Sequence, residues 1–123
     1  MRLAIVGSRD YPDLDEVRDF VRSLSKDTVV VTGGARGVDI AAEEEARSQG
    51  LRVKIHKAEW WKYGKGAGHI RNRVIVDDCD KLQAFWDSES PGTKSVITLA
   101  KKAGKLLGVR QKGLTVQIEL FDD

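Results

Sequence analysis

The chain has 123 residues, 41% hydrophobic and 33% charged, with 21 basic and 19 acidic side chains for a net charge of +2. This composition excludes a disordered chain, and Cys79, the single cysteine, excludes an internal disulfide and a cysteine-built metal site. The near-neutral balance gives no general pull toward nucleic acid or lipid, and the first apolar run, Leu3 to Val6, is too short for a signal peptide or a membrane span. One domain over residues 1–123 and a cytoplasmic location are the expectations.

Leu3 to Val6 is apolar throughout and predicts a first strand buried on both faces, ending in the loop Gly7-Ser8-Arg9-Asp10. Asp13, with Glu16 three residues on, predicts a capping box, and Val17, Phe20, Val21 and Leu24 give the following helix one apolar face. Thr28 to Thr32 predicts a second strand that breaks into Gly33-Gly34-Ala35-Arg36-Gly37, with a helix from Val38 to Gln49 closed by Gly50. Leu51, Val53 and Ile55 alternate with Arg52 and Lys54 as a third strand does. The segment Ala58 to Gly68 is aromatic, basic and glycine-rich, and reads as irregular loop or short helical turns.

A helix is expected from His69 to Cys79 with Ile70, Val74 and Ile75 turned inward, then a strand over Lys81 to Trp86. A polar loop, a helix over Thr93 to Gly104 and a strand over Lys105 to Val109 follow. Leu114, Val116, Ile118 and Leu120 alternate with polar residues in a last, antiparallel edge strand. Strands alternating with helices predict an α/β, Rossmann-like three-layer sandwich, mainly parallel, of order 3-2-1-4-5 with that C-terminal edge strand added. In this order the chain reverses between the first and fourth strands, and ligands bind there, outside the carboxyl ends of the strands.

Three glycine-bearing loops then open on one rim: Gly7-Ser8-Arg9, Gly33 to Gly37 and Ser90-Pro91-Gly92-Thr93. Glycines allow close backbone approach, and helix starts present free N–H groups, so Gly33, Gly34, Gly37, Gly92 and Thr93 suit a phosphate. Arg36, Arg9 and Arg71 add forked cations, with Arg71 facing the pocket and Arg73 away from it. Lys94 follows the third loop, and Asn72 can fix a loop or read a base or ribose edge. Asp39 caps its helix or orders the glycine loop. From Leu51 to Ile75 seven basic residues face Glu59 alone, a local excess of +6, and Trp60, Trp61 and Tyr63 lie among Lys57, Lys62 and Lys65. Such interleaving allows bases to stack while cations hold phosphates. Trp60 reads as core, whereas Trp61 stays open between lid, subunit contact and platform. His56 and His69 have no second partner at ligand spacing, so no metal site is expected. No GxGxxG, GxxxxGK[ST] or GxSxG occurs, which disfavours a dinucleotide dehydrogenase, a P-loop ATPase and an α/β hydrolase.

Gly7-Ser8-Arg9, Gly33 to Asp39, Ala58-Glu59-Trp60, Tyr63-Gly64-Lys65, Ala67-Gly68, Arg71-Asn72-Arg73 and Gly92-Thr93-Lys94, in that order, resemble the YspA/YpsA-related branch of the SLOG superfamily. The resemblance covers nearly the whole chain. Gly7 to Arg9, Ala35 to Ile40 and Arg71 to Ile75 are also similar to the GSR, ARGID and RNRII-like motifs of the DprA/Smf members. The resemblance implies a Rossmann-like domain that binds a nucleotide or nucleotide-derived ligand without a cofactor, in a protein that assembles as a homo-oligomer. Two alternatives come with it: DprA-like binding of single-stranded DNA, and a nucleoside 5′-monophosphate phosphoribohydrolase of the Lonely Guy type. For the latter, Arg71 matches the catalytic arginine, but Val96 stands where those enzymes carry glutamate. Glu59 is the best substitute, with Asp39 and Glu89 as others, because an oxocarbenium-like state calls for a carboxylate.

Overall fold

A computed structural model describes residues 1–112. In chain order the elements are β1 (Arg2–Gly7), α1 (Leu14–Arg22), β2 (Val29–Thr32), α2 (Val38–Ser48), β3 (Arg52–Ile55), α3 (Trp60–Tyr63), a 3₁₀ turn (Gly64–Gly66), α4 (Ala67–Asp77), β4 (Lys81–Trp86), α5 (Pro91–Lys102) and β5 (Leu106–Gln111). The five strands are all parallel in the order β3-β2-β1-β4-β5, as the alternation of strands and helices predicts. The expected strand over Leu114 to Leu120 lies outside the described residues.

Two apolar layers explain why β1 and β2 read as unbroken apolar runs. On one face Leu3, Ile5, Val30 and Phe85 pack beneath Val17 and Val21 of α1 and Ala42 and Ala46 of α2. On the other, Ala4, Val6, Val31 and Leu82 meet Ile75 and Val76 of α4 and Val96 and Ala100 of α5. Phe85 is fully buried and takes Tyr11 and Phe20 edge-on, with ring centroids 5.6 and 5.7 Å away. Truncating such an aromatic to alanine costs about 3–5 kcal/mol. Asp13 caps α1, accepting the Glu16 N–H at 3.1 Å, but the reciprocal half of the expected capping box is replaced: the Glu16 carboxylate accepts the Tyr11 hydroxyl.

Helix α4 departs from its expected facing. Its inward stripe is Ala67, Arg71, Ile75, spaced four apart, with Val76 beside it, so Ile70 and Val74 are 37% and 41% exposed. An arginine takes the place in the stripe that hydrophobicity alone assigns to an apolar side chain. Trp60 is likewise not core but 52% exposed. His56 is tied into an ion cluster, with Nε2 2.7 Å from Asp78 Oδ2, beside Lys54 at 2.9 Å and Arg2 at 2.9 Å on the other oxygen. Among the described residues no helix is long and apolar enough to cross a membrane, and no group of three His, Cys, Asp or Glu side chains could hold a metal.

Candidate functional site

The carboxyl ends of β1, β2 and β4 open on a cleft of about 750 Å³, within the ~300–1,000 Å³ range of small-molecule sites. It sits where the strand order reverses. Of the candidate residues, Gly7, Arg9, Asp39, Arg71, Asn72, Gly92 and Thr93 line it, together with Asp10, Trp60, His69, Asp87, Glu89 and Ser90.

Hydroxyls hold its β1 and β4 walls together. Ser8 is buried rather than exposed to the cleft; its Oγ accepts the Asp87 N–H at 3.0 Å and lies 3.3 Å from Thr93 Oγ1, which is 3.2 Å from Ser90 Oγ. Asp87 closes the β4–α5 loop by accepting the N–H groups of Glu89 and Ser90 at 2.9 and 2.8 Å. Burial opposes ionisation of Asp87, but these amides and the Ser8 hydroxyl hold it below the ordinary carboxylate range. No side chain caps α5, and Pro91 at its first turn has no N–H, so the amides of Gly92 and Thr93 are left for a ligand.

The floor sets an arginine near a buried carboxylate, coupled through their charges and not by a direct ion pair. Arg71 Nη1 donates to the Gly33 carbonyl at 2.7 Å and Nε to Asn72 Oδ1 at 3.0 Å. Burial pushes the guanidinium pKa down, Asp39 draws it back up and Arg9 lowers it again. Asp39, on the first turn of α2, is 4% exposed; Oδ2 accepts the Ala35 N–H at 3.3 Å, whereas Oδ1 has no hydrogen-bond partner among the described residues. Desolvation raises its pKa from 3.8 to about 6 against the opposing amides of Ala35, Gly7 and Gly33 and the charge of Arg71. Gly33 is the seat of the pair, because a Cβ there would collide with Arg71 Nη1 and lie 2.8 Å from Asp39 Oδ2. Gly37 has φ +85°, and its missing Cβ lets the β2–α2 loop lie against the backbone of Arg9.

Other expected residues fall outside the cleft. Gly33, Gly34 and Gly37 shape it without lining it. Arg36 turns to solvent, 70% exposed, and pairs with Asp10 at 3.4 Å, because the loop that carries it is folded over the β1 loop. Trp61 is 83% exposed and Lys65 and Lys94 are also on the surface, none of them on the cleft wall. Glu59 lines a neighbouring groove. Val96 is 2% exposed at the cleft floor and packs in the core. Sequence reasoning alone does not bring His69, Asp10 or Asp87 to a binding role, although Glu89 is among the candidate carboxylates; for Asp87 the available signal is its closeness to the Gly92-Thr93 loop.

The fold and cleft define a Rossmann-like α/β protein with an arginine–carboxylate site at the switch point. The chain belongs to the family of the Gene 61 protein of Mycobacterium phage D29, with which it shares 36% identity in an alignment of 113 residues that takes in 84% of this chain and 90% of that one. No family model matches it. Among solved structures, the DNA processing protein A (DprA) of Streptococcus pneumoniae superposes with a TM-score of 0.76 at 20% identity over 87% of this chain. DprA of Helicobacter pylori, a protein with a single-stranded DNA binding mode, superposes at 0.73 with 25% identity over 91%. The chain spans about half of the first protein's length (49%) and 66% of the second's. The structural neighbours thus support the DprA-related side of the resemblance to the SLOG superfamily.

Proposed function

We propose that this protein binds single-stranded DNA, with one nucleotide of the strand seated in the switch-point cleft. The observation that carries the reading is the meeting, on one rim, of a half-buried arginine, an uncapped helix start and the exposed ring of Trp60. A phosphate there is met by the amides of Gly92 and Thr93 and by Arg9 and Arg71, while Trp60 offers its ring to the base. Likeness to H. pylori DprA supports the same class of ligand. The overall charge of +2 makes the contact local, so few phosphates are neutralised. For two or three contacts on a single strand, log K should fall against log salt with a slope of about −1.5 to −2. Fluorescence anisotropy of a labelled oligothymidylate, titrated at low and at physiological salt, tests this, with Arg9→Ala and Trp60→Ala each weakening binding about tenfold. No binding at low salt, or binding indifferent to both substitutions, sinks it.

One observation favours a second reading. The cleft wall carries Asp10, Asp39, Asp87 and Glu89 beside its arginines, an acid content that suits the hydroxyls and amines of a free nucleotide or nucleotide-derived ligand. The YspA-related branch and a small-molecule role belong to this reading. If it extends to N-glycosidic hydrolysis, Asp39 is the carboxylate held beside Arg71, in place of Glu59. Release of free base from a nucleoside monophosphate, lost in Arg71→Ala, distinguishes it from plain binding.

A further inference from the structure

A second groove, of about 390 Å³, adjoins the cleft, and Arg71 lines both. Its walls are Ile55 at the end of β3, Lys57 just beyond, Tyr63 at the end of α3, and Ile70 and Val74 on α4. Tyr63, Ile70 and Val74 are 41%, 37% and 41% exposed, an apolar floor left open because Arg71 holds the inward position on α4. The single turn of α3 puts Trp60 on the cleft and Tyr63, three residues on, on the groove. Residues three apart on a helix are neighbours, so this one turn supplies an aromatic ring to each of the two cavities. Lys62 stands over the Tyr63 ring, 5.1 Å from its centroid, which brings a further cation to that lip. Among the described residues Arg71 donates two of its five N–H groups, to Gly33 and Asn72, and lines both cavities with the rest of its guanidinium unengaged there. Glu59 is the one carboxylate on the groove's wall among the described residues, whereas the cleft has four, so the groove is the better seat for a polyanion.

We propose that this groove is the subsite for the adjoining nucleotide of the same strand: its base lies against Tyr63, Ile70 and Val74, and the linking phosphate is held by Arg71 with Lys57 at the outer edge. The inference rests on the single-strand reading and specifies a footprint of two nucleotides across Arg71. Its occupant follows from continuity with the cleft through one shared arginine, and from the +6 excess of residues 51–75 in a chain of net +2.

The test is a titration of the whole protein with dTMP, pTpT and pTpTpT, read by quenching of tryptophan fluorescence. Base stacking on an aromatic ring makes pTpT about tenfold or more tighter than dTMP. Tyr63→Ala removes that gain and leaves dTMP binding as in the parent. Val74→Asp, on the exposed side of α4, does the same, should the tyrosine variant fold poorly. Lys57→Gln reduces the salt slope for pTpT by about 0.7 and leaves that for dTMP alone. The proposal is overturned if pTpT binds no tighter than dTMP, or if Tyr63→Ala weakens both alike, while the single-strand reading survives either result. Failure of all three probes to bind overturns both.

Discussion

Replacing Asp39 by asparagine separates the charge of the buried carboxylate from its shape. The side chain is 4% exposed, one oxygen accepts from Ala35 and the other is unpartnered. An unfolded chain titrates this group near 3.8 and the folded one at about 6. Between those values the folded state holds a proton that the unfolded state has lost, so the group makes stability fall as pH rises through the window. That sign is opposite to the usual one for a paired carboxylate. From 3.8 to about 6, at about 1.4 kcal/mol per pH unit, the change amounts to about 3 kcal/mol. The neutral amide of the variant carries no such slope. The other carboxylates titrate alike in both proteins and cancel in the difference. The attraction of Arg71 for the ionised carboxylate is already contained in the folded pKa of about 6, and the guanidinium itself stays protonated throughout, so Arg71 adds no separate slope. Asp39→Asn is therefore expected to gain about 3 kcal/mol on the parent between pH 4 and pH 7.5, roughly 10 °C in Tm for a domain of this size. Urea unfolding followed by tryptophan fluorescence at four pH values measures it. A gap that stays level to about 0.5 kcal/mol, or one that runs the other way because Arg71 keeps the carboxylate ionised, refutes the reasoning.

Gly37→Ala should cost about 2 kcal/mol or more, since φ is +85° and the new Cβ runs into the backbone of Arg9; a Tm within two or three degrees of the parent would count against that packing. Asp78 is held below its ordinary 3.8 by Lys54 and His56, so its contribution is present above that pH and is lost as pH falls through the folded pKa. Asp78→Asn should therefore be about 1–2 kcal/mol less stable than the parent at pH 7, with the difference closing in acid unfolding curves. Cys79 is 4% exposed and burial pushes its thiol up, so labelling by an aromatic disulfide should wait on unfolding; prompt reaction of the native protein would contradict the core placement.

The sheet order was legible because the apolar runs of β1 and β2 end in glycine loops and strict alternation with helices leaves few parallel topologies. The loops that converge on the rim were legible for the same reason. The facing of α4 was not. Apolar periodicity points Ile70 and Val74 inward, and only the pairing of Arg71 with the Gly33 carbonyl and the Asp39 charge makes an arginine the easier side chain to bury. Once Arg71 is inside, Ile70 and Val74 are forced to the surface. Trp60 misleads in the same way: an aromatic between basic residues reads as core by hydrophobicity, yet α3 is a single turn with no buried residue of its own. The acids of the cleft are hard to assign because Asp87 also closes its own loop and Asp10 also pairs with Arg36, local roles that need no ligand.

The glycines of the β2–α2 loop read as a cradle for a phosphate, but their geometry assigns them a different task. Gly33 makes room for Arg71 and Asp39, and Gly37 makes room for the backbone of Arg9. Neither lines the cleft. Their contribution to ligand chemistry is thus indirect: Gly33 lets Arg71 of α4 approach the Asp39 carboxylate of α2, and Gly37 lets the β2–α2 loop close on the backbone of Arg9. The phosphate-ready amides are instead those of α5, whose first turn has neither a capping side chain nor a proline N–H to satisfy. A ligand that spans the cleft therefore meets Arg71 and the Asp39 carboxylate on one side and the amides of Gly92 and Thr93 on the other. Recognition at this site depends on donors and acceptors disposed across the ligand as well as on its negative charge, which is why a charge-matched inorganic phosphate should be a poor competitor for a nucleotide here.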